Sequence, residues 1–399
     1  MPDWIRRIDS LLGEIDRNVR DAARAVRTVL GDGPFEVLCY RGYGHATHAQ
    51  VYGRAQENRG VGPSGVEDST IDNLFNTYRR ADSNPLQRAE VVVTHASATK
   101  AVTADDEGFF SARMELASPE TSDDAWREYT VDLLSPARPG VDRARGKGEI
   151  RTPQKSARFG VISDIDDTVI QSHVSNFLQA ARTVMLGNAR TRLPFPGVAA
   201  FYQALEQGAS GKENNPIFYV SSSPWNIYDM IVEFMDLQKI PKGPVLLRDW
   251  DIGIGALRST RHFDHKGDAI RGIMNTYPQL PFILIGDTSQ HDPEIYRQIV
   301  AEFPDRVPAI YIRDVTRSEE RSTAVKKLAE EVLAAKSTLV LAEDTLGAAK
   351  HAVEQGWISA DALANVQEEK RADTGQDGTK VATPDGGKPS TGAAPTVIE

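Results

Sequence analysis

The apolar residues near the start of the chain recur at steps of three and four positions, which is the spacing of one helix face. This pattern predicts an amphipathic helix over Trp4–Leu30, within an N-terminal segment of residues 1–34 that the turn-forming Gly31–Pro34 ends. The arginines of this helix leave one alternative open, a helix that lies in a membrane interface. Acidic residues dilute the basic face, so packing against the rest of the protein is favoured.

A different pattern, short runs in which apolar and polar residues alternate, extends to residue 135. Turn-rich segments separate the runs, as expected of strands joined by hairpins. The runs predict a small antiparallel β-sandwich over residues 35–135. Residues 136–157 are rich in Pro, Gly, Arg and Lys and are predicted to be a linker. The predicted strands are Glu36–Arg41, His48–Arg54, Ala89–His95, Gly108–Glu115 and Glu128–Leu134.

From residue 158 onward, strand patterns alternate with helix patterns. This alternation predicts a doubly wound parallel sheet, closed by helices up to residue 366. Residues 367–399 contain few large apolar side chains and are predicted to be disordered. The predicted strands are Phe159–Ser163, Ile217–Val220, Val245–Arg248, Phe282–Ile285 and Ala309–Ile312.

Length and composition narrow the class of protein. A chain of 399 residues exceeds the usual size of one domain and agrees with two folded domains and flanking tails. The formal net charge of -10 argues against nucleic acid as a partner. The single cysteine, Cys39, cannot form an internal disulfide, which fits a reducing compartment. No apolar run reaches the roughly 18 residues that cross a bilayer, and no signal-peptide pattern is present, so we expect a cytoplasmic protein with peripheral membrane contact as an option.

Three carboxylates follow directly on the first predicted strand of the parallel sheet. Asp164, Asp166 and Asp167 come immediately after Phe159–Ser163. Like charges this close repel one another unless a cation or a shared proton compensates. The carboxyl ends of parallel strands are also where open α/β sheets bind ligands. The pattern therefore indicates a charged ligand site rather than an acidic surface loop.

Three further polar groups fall at strand ends or helix starts later in the same series. Ser221–Pro224 follows the second strand, where hydroxyls and amides can hold a phosphate. Lys266 opens a helix, a position that the helix dipole disfavours for a cation and that suggests an anionic partner. Asp287 follows the fourth strand, and together with Asp292 it would complete an oxygen-rich Mg²⁺ site.

In this order, the groups resemble the four motifs of haloacid-dehalogenase-type phosphatases: Asp-x-Asp-x-Thr at Asp164–Thr168, then a serine, a lysine and Gly-Asp-x-x-x-x-Asp. The resemblance covers about residues 160–315. It implies an α/β fold with a doubly wound, Rossmann-like parallel sheet as the catalytic domain, preceded by the N-terminal helix and the small β-sandwich. Four shorter segments look like the actin-patch phosphatidate phosphatase family of fungi and its bacterial relatives. They are Ser163–Ile170, Phe218–Asn226, His265–Asp268 and Tyr40–Tyr43.

The resemblance implies catalytic roles for the first motif. The activity would be phosphomonoester hydrolysis through an aspartyl-phosphate. Asp164 would attack phosphorus, and Asp166 would protonate the departing oxygen and then activate water. Thr168 would orient the loop, and Lys266 would balance charge. Asp167 is assigned a supporting or exposed position.

The same resemblance implies a phosphate site and Mg²⁺ as the cofactor. Ser221, the backbone amide of Ser222 and Lys266 would hold phosphoryl oxygens. Asp166 would reach the metal through its backbone carbonyl, and Asp292 would position Lys266 or the metal-bound waters. The implied metal set is Asp164, Asp166, Asp287 and Asp292.

The nearest look-alike is a receiver domain of phosphorelay signalling, which also combines acids, a hydroxyl and a lysine. In a receiver the lysine lies on the last strand, whereas here Asp287 follows Lys266, so the order favours the phosphatase.

The implied substrate is phosphatidate, converted to diacylglycerol. The apolar insert Val169–Gly187 is compatible with a lid over a lipid or with an ordinary connecting helix. Two alternatives stay open: a phosphatase of small-molecule or protein phosphomonoesters, and a non-catalytic adaptor that binds a partner through the β-sandwich.

Overall fold

The predicted helix Trp4–Leu30 lies outside the residues that the structure describes, as do Asp167 and residues 170–187 of the predicted insert. The structure is a computed structural model. It describes residues 34–58, 84–117, 119, 121–137, 143–166, 168–169, 195–248, 264–315, 318–374 and 396–397.

The first part of the chain forms one seven-stranded sheet. Its strands are β1 (Phe35–His45), β2 (His48–Glu57), β3 (Glu90–His95), β4 (Ala98–Thr103), β5 (Phe109–Glu115), β6 (Trp126–Ser135) and β7 (Arg145–Arg151). They lie in the order β4-β3-β6-β7-β1-β2-β5, and all neighbours are antiparallel except β1 and β7, which run parallel where Gly42 pairs with Ile150. The edge strands β4 and β5 lie side by side, with Lys100 Nζ donating to the Arg113 carbonyl at 2.8 Å. The sheet is therefore curled and nearly closed.

The predicted antiparallel β-sandwich is wrong, because these strands belong to one mixed sheet rather than to two facing ones. The prediction lacked β7, whose glycines and basic residues are typical of a linker. Those glycines have a packing reason. A Cβ at Gly146 would lie 2.4 Å from the Val37 carbonyl oxygen, and one at Gly148 would lie 2.4 Å from the Tyr129 ring. The close approach of Val37 and Tyr129 thus explains why β7 contains glycines, although its composition resembles that of a flexible linker.

The second part of the chain forms another seven-stranded sheet. Its strands are β8 (Gly160–Asp164), β9 (Ile217–Pro224), β10 (Val245–Arg248), β11 (Phe282–Asp287), β12 (Ala309–Arg313), β13 (Thr338–Ala342) and β14 (Thr396–Val397). They lie in the order β10-β9-β8-β11-β12-β13-β14, and neighbours are parallel except for β14, which is antiparallel to β13 at Val340 and Val397. The predicted fold class is therefore wrong as stated. The first sheet is mixed and nearly closed, and the second ends in an antiparallel strand that pairs with the free edge of β13.

Helices flank the second sheet. Within the described ranges they are α1 (Val198–Gln207), α2 (Tyr228–Leu237), α3 (Asp264–Thr276), α4 (Asp292–Glu302), α5 (Glu319–Ala334), α6 (Thr345–Glu354) and α7 (Ala360–Asp373), with a 3-10 turn at Trp225–Ile227. Side chains accept from the first turn at three of their N-termini: Ser318 for α5, Asp344 for α6 and Ser359 for α7. None of the helices in the described residues is both long enough and apolar enough to span a bilayer.

Strand β8 occupies the middle of the second sheet and is buried on both faces. Val161 belongs to one buried apolar cluster, which also contains Phe201, and Ile162 belongs to another, which also contains Ile270. A strand with two covered faces needs a continuous apolar run rather than an alternating one, and Gly160–Asp164 has that composition. Because β9 and β11 flank β8 in parallel, the carboxyl ends of all three strands meet at one edge.

Arg151, at the end of β7, joins the two sheets. It is 1% exposed, and its Nη2 donates to the carbonyl and the side-chain oxygen of Asn214 at 2.8 and 2.9 Å. Its Nη1 donates to the Ala125 carbonyl at 3.2 Å, and Tyr277 Oη donates to the Arg151 carbonyl at 3.2 Å. Burial lowers the pKa of this guanidinium. Several hydrogen bonds to carbonyl oxygens compensate for the loss of water around the charge.

We expect Arg151→Met to lower the free energy of unfolding by about 2–4 kcal/mol, because it leaves buried carbonyls without their donor. Urea unfolding followed by circular dichroism measures the change. The control is Lys147→Met, which removes an exposed ion pair to Glu128 at 3.2 Å and should leave the unfolding midpoint nearly unchanged. Equal shifts for the two variants would show that Arg151 does not hold the sheets together.

Candidate active site

Asp164 is the last residue of β8 and is 0% exposed. Its backbone is held by the preceding residue, since Ser163 Oγ donates to the Asp164 carbonyl at 2.7 Å and lies 2.6 Å from Tyr202 Oη. The apolar strand buries its own end, so the carboxylate emerges inside the protein rather than at its surface. A buried carboxylate is costly unless it is paired or hydrogen-bonded, so the groups that contact Asp164 determine whether it can carry a charge.

The cation beside Asp164 is Lys266, in the first turn of α3. It is 3% exposed, and its Nζ donates to Asp164 Oδ1 at 2.9 Å and to Asp292 Oδ1 at 2.5 Å. Gln290 Oε1 lies 3.4 Å from the same nitrogen. One ammonium group therefore bridges two buried carboxylates that come from different elements.

Asp287 and Asp292 are joined to each other through the backbone. Asp287 ends β11, and its N–H donates to Oδ2 of Asp292, the first residue of α4, at 3.3 Å. Gly286 permits this contact, because a Cβ there would lie 2.4 Å from Asp292 Oδ2. Asp287 Oδ2 accepts from Thr168 Oγ1 at 3.3 Å, and its Oδ1 accepts from the Ser289 N–H at 2.5 Å.

Asp164, Asp287 and Asp292 form a compact acidic cluster. All three are buried, and one oxygen of each lies within 4.8 Å of the others. Asp164 Oδ2 is buried and has no hydrogen-bond partner in the part of the chain that the structure describes. Oxygen donors in this number and proximity fit a hard divalent cation. Both oxygens of Asp287 and of Asp292 already accept hydrogen bonds within the protein, so Asp164 Oδ2 is the oxygen that the described part of the cluster leaves open to such a cation.

The electrostatics of the cluster follow from its burial. Burial raises the pKa of Asp164 well above its usual range, Lys266 opposes this rise, and Asp292, Asp166 and Asp287 add to it. Burial also raises the pKa of Asp287, with a further contribution from Asp292. Burial alone would lower the pKa of Lys266, but the two carboxylates beside it raise that pKa, so it stays charged. The cluster has more negative charge than its own lysine balances, which favours uptake of a proton or a metal cation.

Asp166 lies apart from this cluster and contacts the second strand instead. Ser221 Oγ, on buried β9, donates to Asp166 Oδ2 at 2.8 Å. The Ser223 N–H donates to Ser221 Oγ at 2.9 Å, which fixes the orientation of the hydroxyl. Asp166 is half-buried and Ser222 is exposed. The Asp166 carboxyl group is therefore less buried than the acidic cluster, whereas Ser221, whose hydroxyl donates to it, is itself buried.

The structure thus brings most of the predicted site residues to one edge of the second sheet, in two connected groups. Sequence reasoning missed Gln290, whose side chain reaches Lys266. Its place between the two acids of the Gly-Asp-x-x-x-x-Asp motif was a usable signal. The first group is Asp164, Thr168, Lys266, Asp287 and Asp292, and the second is Asp166 and Ser221 with Ser222 beside it.

All these residues fall within a segment that is similar to known proteins. Residues 159–314 match the family model of the phosphatidate phosphatase APP1 catalytic domain. Phosphatidate phosphatase APP1 of Saccharomyces cerevisiae is 30% identical over 161 residues, which are 40% of this chain and 26% of the yeast protein. An uncharacterized protein of Schizosaccharomyces pombe is 27% identical over 161 residues, 39% of this chain and 25% of that protein. The chain thus spans about a quarter of the length of these relatives, and the likeness concerns the segment that holds the site.

Likeness to solved structures is weak. The crystal structure of a proposed α-galactosidase from Bacteroides fragilis covers 78% of this chain and 53% of that chain, at 8% identity and a TM-score of 0.21. A carbohydrate acetylesterase from Xanthomonas citri covers 72% of this chain and 71% of that chain, at 11% identity and a TM-score of 0.23. TM-scores this low carry no inference about function.

The raised pKa values predict that the metal-free protein becomes less stable as the pH rises. Asp164 and Asp287 bind protons more tightly in the folded chain than in the unfolded one, where an aspartate titrates near about 4. Their contribution to stability is complete below that pH and is lost as the pH rises through the folded-state pKa. In EDTA, the Tm should therefore fall as the pH rises above about 4, and more steeply in the wild type than in Asp164→Asn.

Lys266→Met is the informative companion, because it removes the charge that opposes the rise in the Asp164 pKa. Its Tm should fall most steeply of the three proteins, and a divalent cation should reduce the slope in the wild type. Parallel Tm profiles for the wild type and Asp164→Asn would contradict the assignment, since Asp164 would then titrate alike in the folded and unfolded chains.

Proposed function

We propose that the chain is a magnesium-dependent phosphatidate phosphatase that works through an aspartyl-phosphate on Asp164. The observation that carries the proposal is the setting of this residue. Asp164 ends the central strand and is fully buried, one of its oxygens accepts from Lys266, and the other has no partner among the described residues. A buried carboxylate with one fixed and one available oxygen is suited to nucleophilic attack. The similarity of residues 159–314 to the APP1 catalytic domain supports the choice of substrate.

In the first step, Asp164 Oδ2 attacks phosphorus. A bond forms between this oxygen and phosphorus, and the bond between phosphorus and the diacylglycerol oxygen breaks. Asp166 gives its proton to the departing oxygen, so that diacylglycerol leaves as the neutral alcohol. The hydrogen bond from Ser221 Oγ orients the Asp166 carboxyl group, which is less buried than Asp164 and has access to substrate.

In the second step, Asp166 acts as the base. It takes a proton from a water molecule, whose oxygen attacks the phosphorus of the aspartyl-phosphate. The bond between phosphorus and Asp164 breaks, inorganic phosphate leaves, and both carboxyl groups return to their starting protonation states. One residue serves as acid and then as base, which requires no other proton donor in the cycle.

Ser221, the Ser222 backbone amide and Lys266 are proposed to hold the phosphoryl oxygens. Lys266 has three N–H donors, and in this structure its nearest acceptors are carboxylates of Asp164 and Asp292. Asp292 is proposed to keep the ammonium group in place, since both of its own oxygens are engaged within the protein. This arrangement directs positive charge toward the position where the phosphoryl group carries its negative charge.

The residues proposed to hold Mg²⁺ are Asp164, Asp287 and the backbone carbonyl of Asp166. The cluster of three buried carboxylates fits this ion, and Asp164 Oδ2 is kept for the attack on phosphorus. When bound, Mg²⁺ would neutralise phosphoryl oxygens and lower the pKa values of the acids around it. Thr168 is proposed to hold Asp287 in register through its 3.3 Å hydrogen bond.

A lipid phosphate is presented by a membrane surface, so peripheral membrane contact is part of the proposal. The alternative substrates are small-molecule or protein phosphomonoesters, which would use the same chemistry with a different leaving group. The alternative of another class is an adaptor that binds a partner through the first sheet and does not turn over phosphate. The buried cluster of Asp164, Lys266, Asp287 and Asp292 favours catalysis, because a chain without this function would gain little from burying so many charges.

Purified protein should release phosphate from phosphatidate in detergent micelles with Mg²⁺, and EDTA should stop the release until Mg²⁺ is restored. Malachite-green detection of phosphate measures it, with Asp164→Asn as the matched control. Release from soluble phosphomonoesters but not from phosphatidate would overturn the substrate assignment alone. No release from lipid, sugar, nucleotide or peptide phosphates, with a cellular phenotype that Asp164→Asn leaves unchanged, would favour the adaptor.

The two acids of the first motif should differ in how their loss depends on the leaving group. Asp164→Asn should remove nearly all turnover of every substrate, because an amide cannot form the acyl-phosphate. Asp166→Asn should lose mainly proton transfer, which contributes about 10²–10⁴-fold. That loss should be large for alkyl phosphates and small for aryl phosphates, whose leaving groups need little protonation. Equal losses for the two substrate types, with chemistry rate-limiting, would contradict the role of Asp166 as general acid.

A further inference from the structure

The segment Tyr40–Tyr43, which has no part in the chemistry, lies in β1 but packs on elements of the second sheet. The Tyr40 ring stacks on the Trp225 ring with centroids 5.3 Å apart and an interplanar angle of 10°. Tyr52, on the neighbouring strand β2, stacks on the same indole at 5.2 Å and 30°. Trp225 is 6% exposed and also stacks on Tyr228 at 5.8 Å. Two strands of the first sheet thus contact one tryptophan of the second part of the chain.

Hydrogen bonds set the position of this aromatic cluster. The Arg41 N–H donates to Tyr228 Oη at 2.8 Å, and the Arg41 guanidinium lies 3.3 Å from Asp236 at the other end of α2. Tyr129 Oη lies 2.6 Å from the Tyr40 carbonyl and 2.9 Å from the Tyr52 carbonyl, so its proton can serve either. Tyr129 therefore fixes the backbone of Tyr40 and Tyr52, and Arg41 binds both ends of α2 next to their rings.

Trp225 stands directly after the segment that carries the proposed phosphate ligands. Strand β9 ends at Pro224, and the 3-10 turn begins at Trp225. Between them and the site, the Ser223 N–H donates to Ser221 Oγ, and Ser221 Oγ donates to Asp166 Oδ2. A displacement of the Trp225 indole would therefore displace Ser223 and, through its hydrogen bond, the Ser221 hydroxyl that orients Asp166, the proposed general acid.

We propose that Tyr40 and Tyr52 are positioning residues, which hold Trp225 and thereby place Ser221 and Asp166 for phosphoryl transfer. The proposal rests on the proposed function for the role of Ser221. It makes the first sheet part of the catalytic unit, although residues 159–314 alone match the APP1 catalytic domain. A displacement of about 1 Å at a reacting group can cost about 10²-fold in rate, so a remote support can have a large effect.

The competing explanation is ordinary packing between two folded units, in which loss of a ring lowers stability without any specific effect on the site. Trp126 provides a matched control. It is an aromatic residue at the contact between the two sheets, where Lys242 Nζ lies 4.5 Å from its ring, and it does not contact Trp225 among the described ring pairs. Trp126→Leu should lower the Tm but leave kcat on an alkyl phosphate close to the wild-type value.

Tyr40→Leu and Tyr52→Leu should lower kcat on an alkyl phosphate by about 10- to 100-fold at a temperature where both variants are folded. Tyr40→Phe keeps the ring and should retain wild-type kcat. The loss should be larger for alkyl than for aryl phosphates, because Asp166 acts on the leaving group. Tyr52→Leu, at a half-buried position, keeps the proposal testable if Tyr40→Leu does not fold. Wild-type kcat and leaving-group dependence in a folded Tyr40→Leu or Tyr52→Leu would overturn the proposal.

A double-mutant cycle tests whether Tyr40 acts through Ser221. Tyr40→Leu should cost much less in a Ser221→Ala background than in the wild type, whereas independent effects would multiply and would contradict the proposal. Binding of inorganic phosphate in the presence of Mg²⁺, measured by calorimetry, separates the two ideas. If the wild type binds phosphate but turns over no substrate, the proposed function fails, and weaker binding by Tyr40→Leu but not by Trp126→Leu still supports the positioning role. Equal binding by all three proteins would overturn it.

Discussion

The ammonium group of Lys266 is the interaction on which the site depends. It lies within 2.9 Å of Asp164 and 2.5 Å of Asp292, and all three side chains are almost completely buried. Burying an unpaired carboxylate costs several kcal/mol, so these acids require a cation at this place. The requirement ties α3, which carries the lysine, to β8 and to the start of α4. The edge of the sheet can thus be both densely charged and stable.

Packing around this charge cluster leaves little freedom. Gly286 is needed because Asp292 passes where its side chain would be, and the Asp287 backbone donates to the same carboxylate. Strand β8 is covered on both faces, and Asp164 at its end is shielded from water. On the other side, Asp166 is only half-buried, and the buried Ser221 hydroxyl donates to it at 2.8 Å. The fold therefore separates Asp164, the proposed nucleophile, which is buried, from Asp166, the proposed general acid, which is more accessible, although only one residue lies between them in the chain.

The physical unit is larger than the segment of sequence similarity. Residues 159–314 match the catalytic-domain model, yet Arg151 and Tyr40 lie before this segment and contact it closely. Arg151 binds the loop before β9, and Tyr40 packs against the turn after it. Both ends of the strand that carries Ser221 are therefore supported by the first sheet. Sequence comparison marks the segment that contains the site residues, residues 159–314. The contacts of Arg151 and Tyr40 show that residues outside this segment support it.

The sequence by itself pointed to Asp164 and Asp287, because an apolar run that ends in a charge marks the end of a buried strand, and to Lys266, because a cation at the start of a helix suggests an anionic partner. It also indicated which strand ends would share an edge, since parallel strands point the same way. It did not reveal β7, because glycines at close contacts look like a linker, nor that the first sheet is mixed and curled. It also could not show that Ser221 donates to Asp166, or that Asp164 Oδ2 has no hydrogen-bond partner among the residues that the structure describes. Local periodicity records how deeply a segment is buried, but the choice of neighbouring strand and of hydrogen-bond partner depends on residues far apart in the chain, which only the tertiary structure brings together.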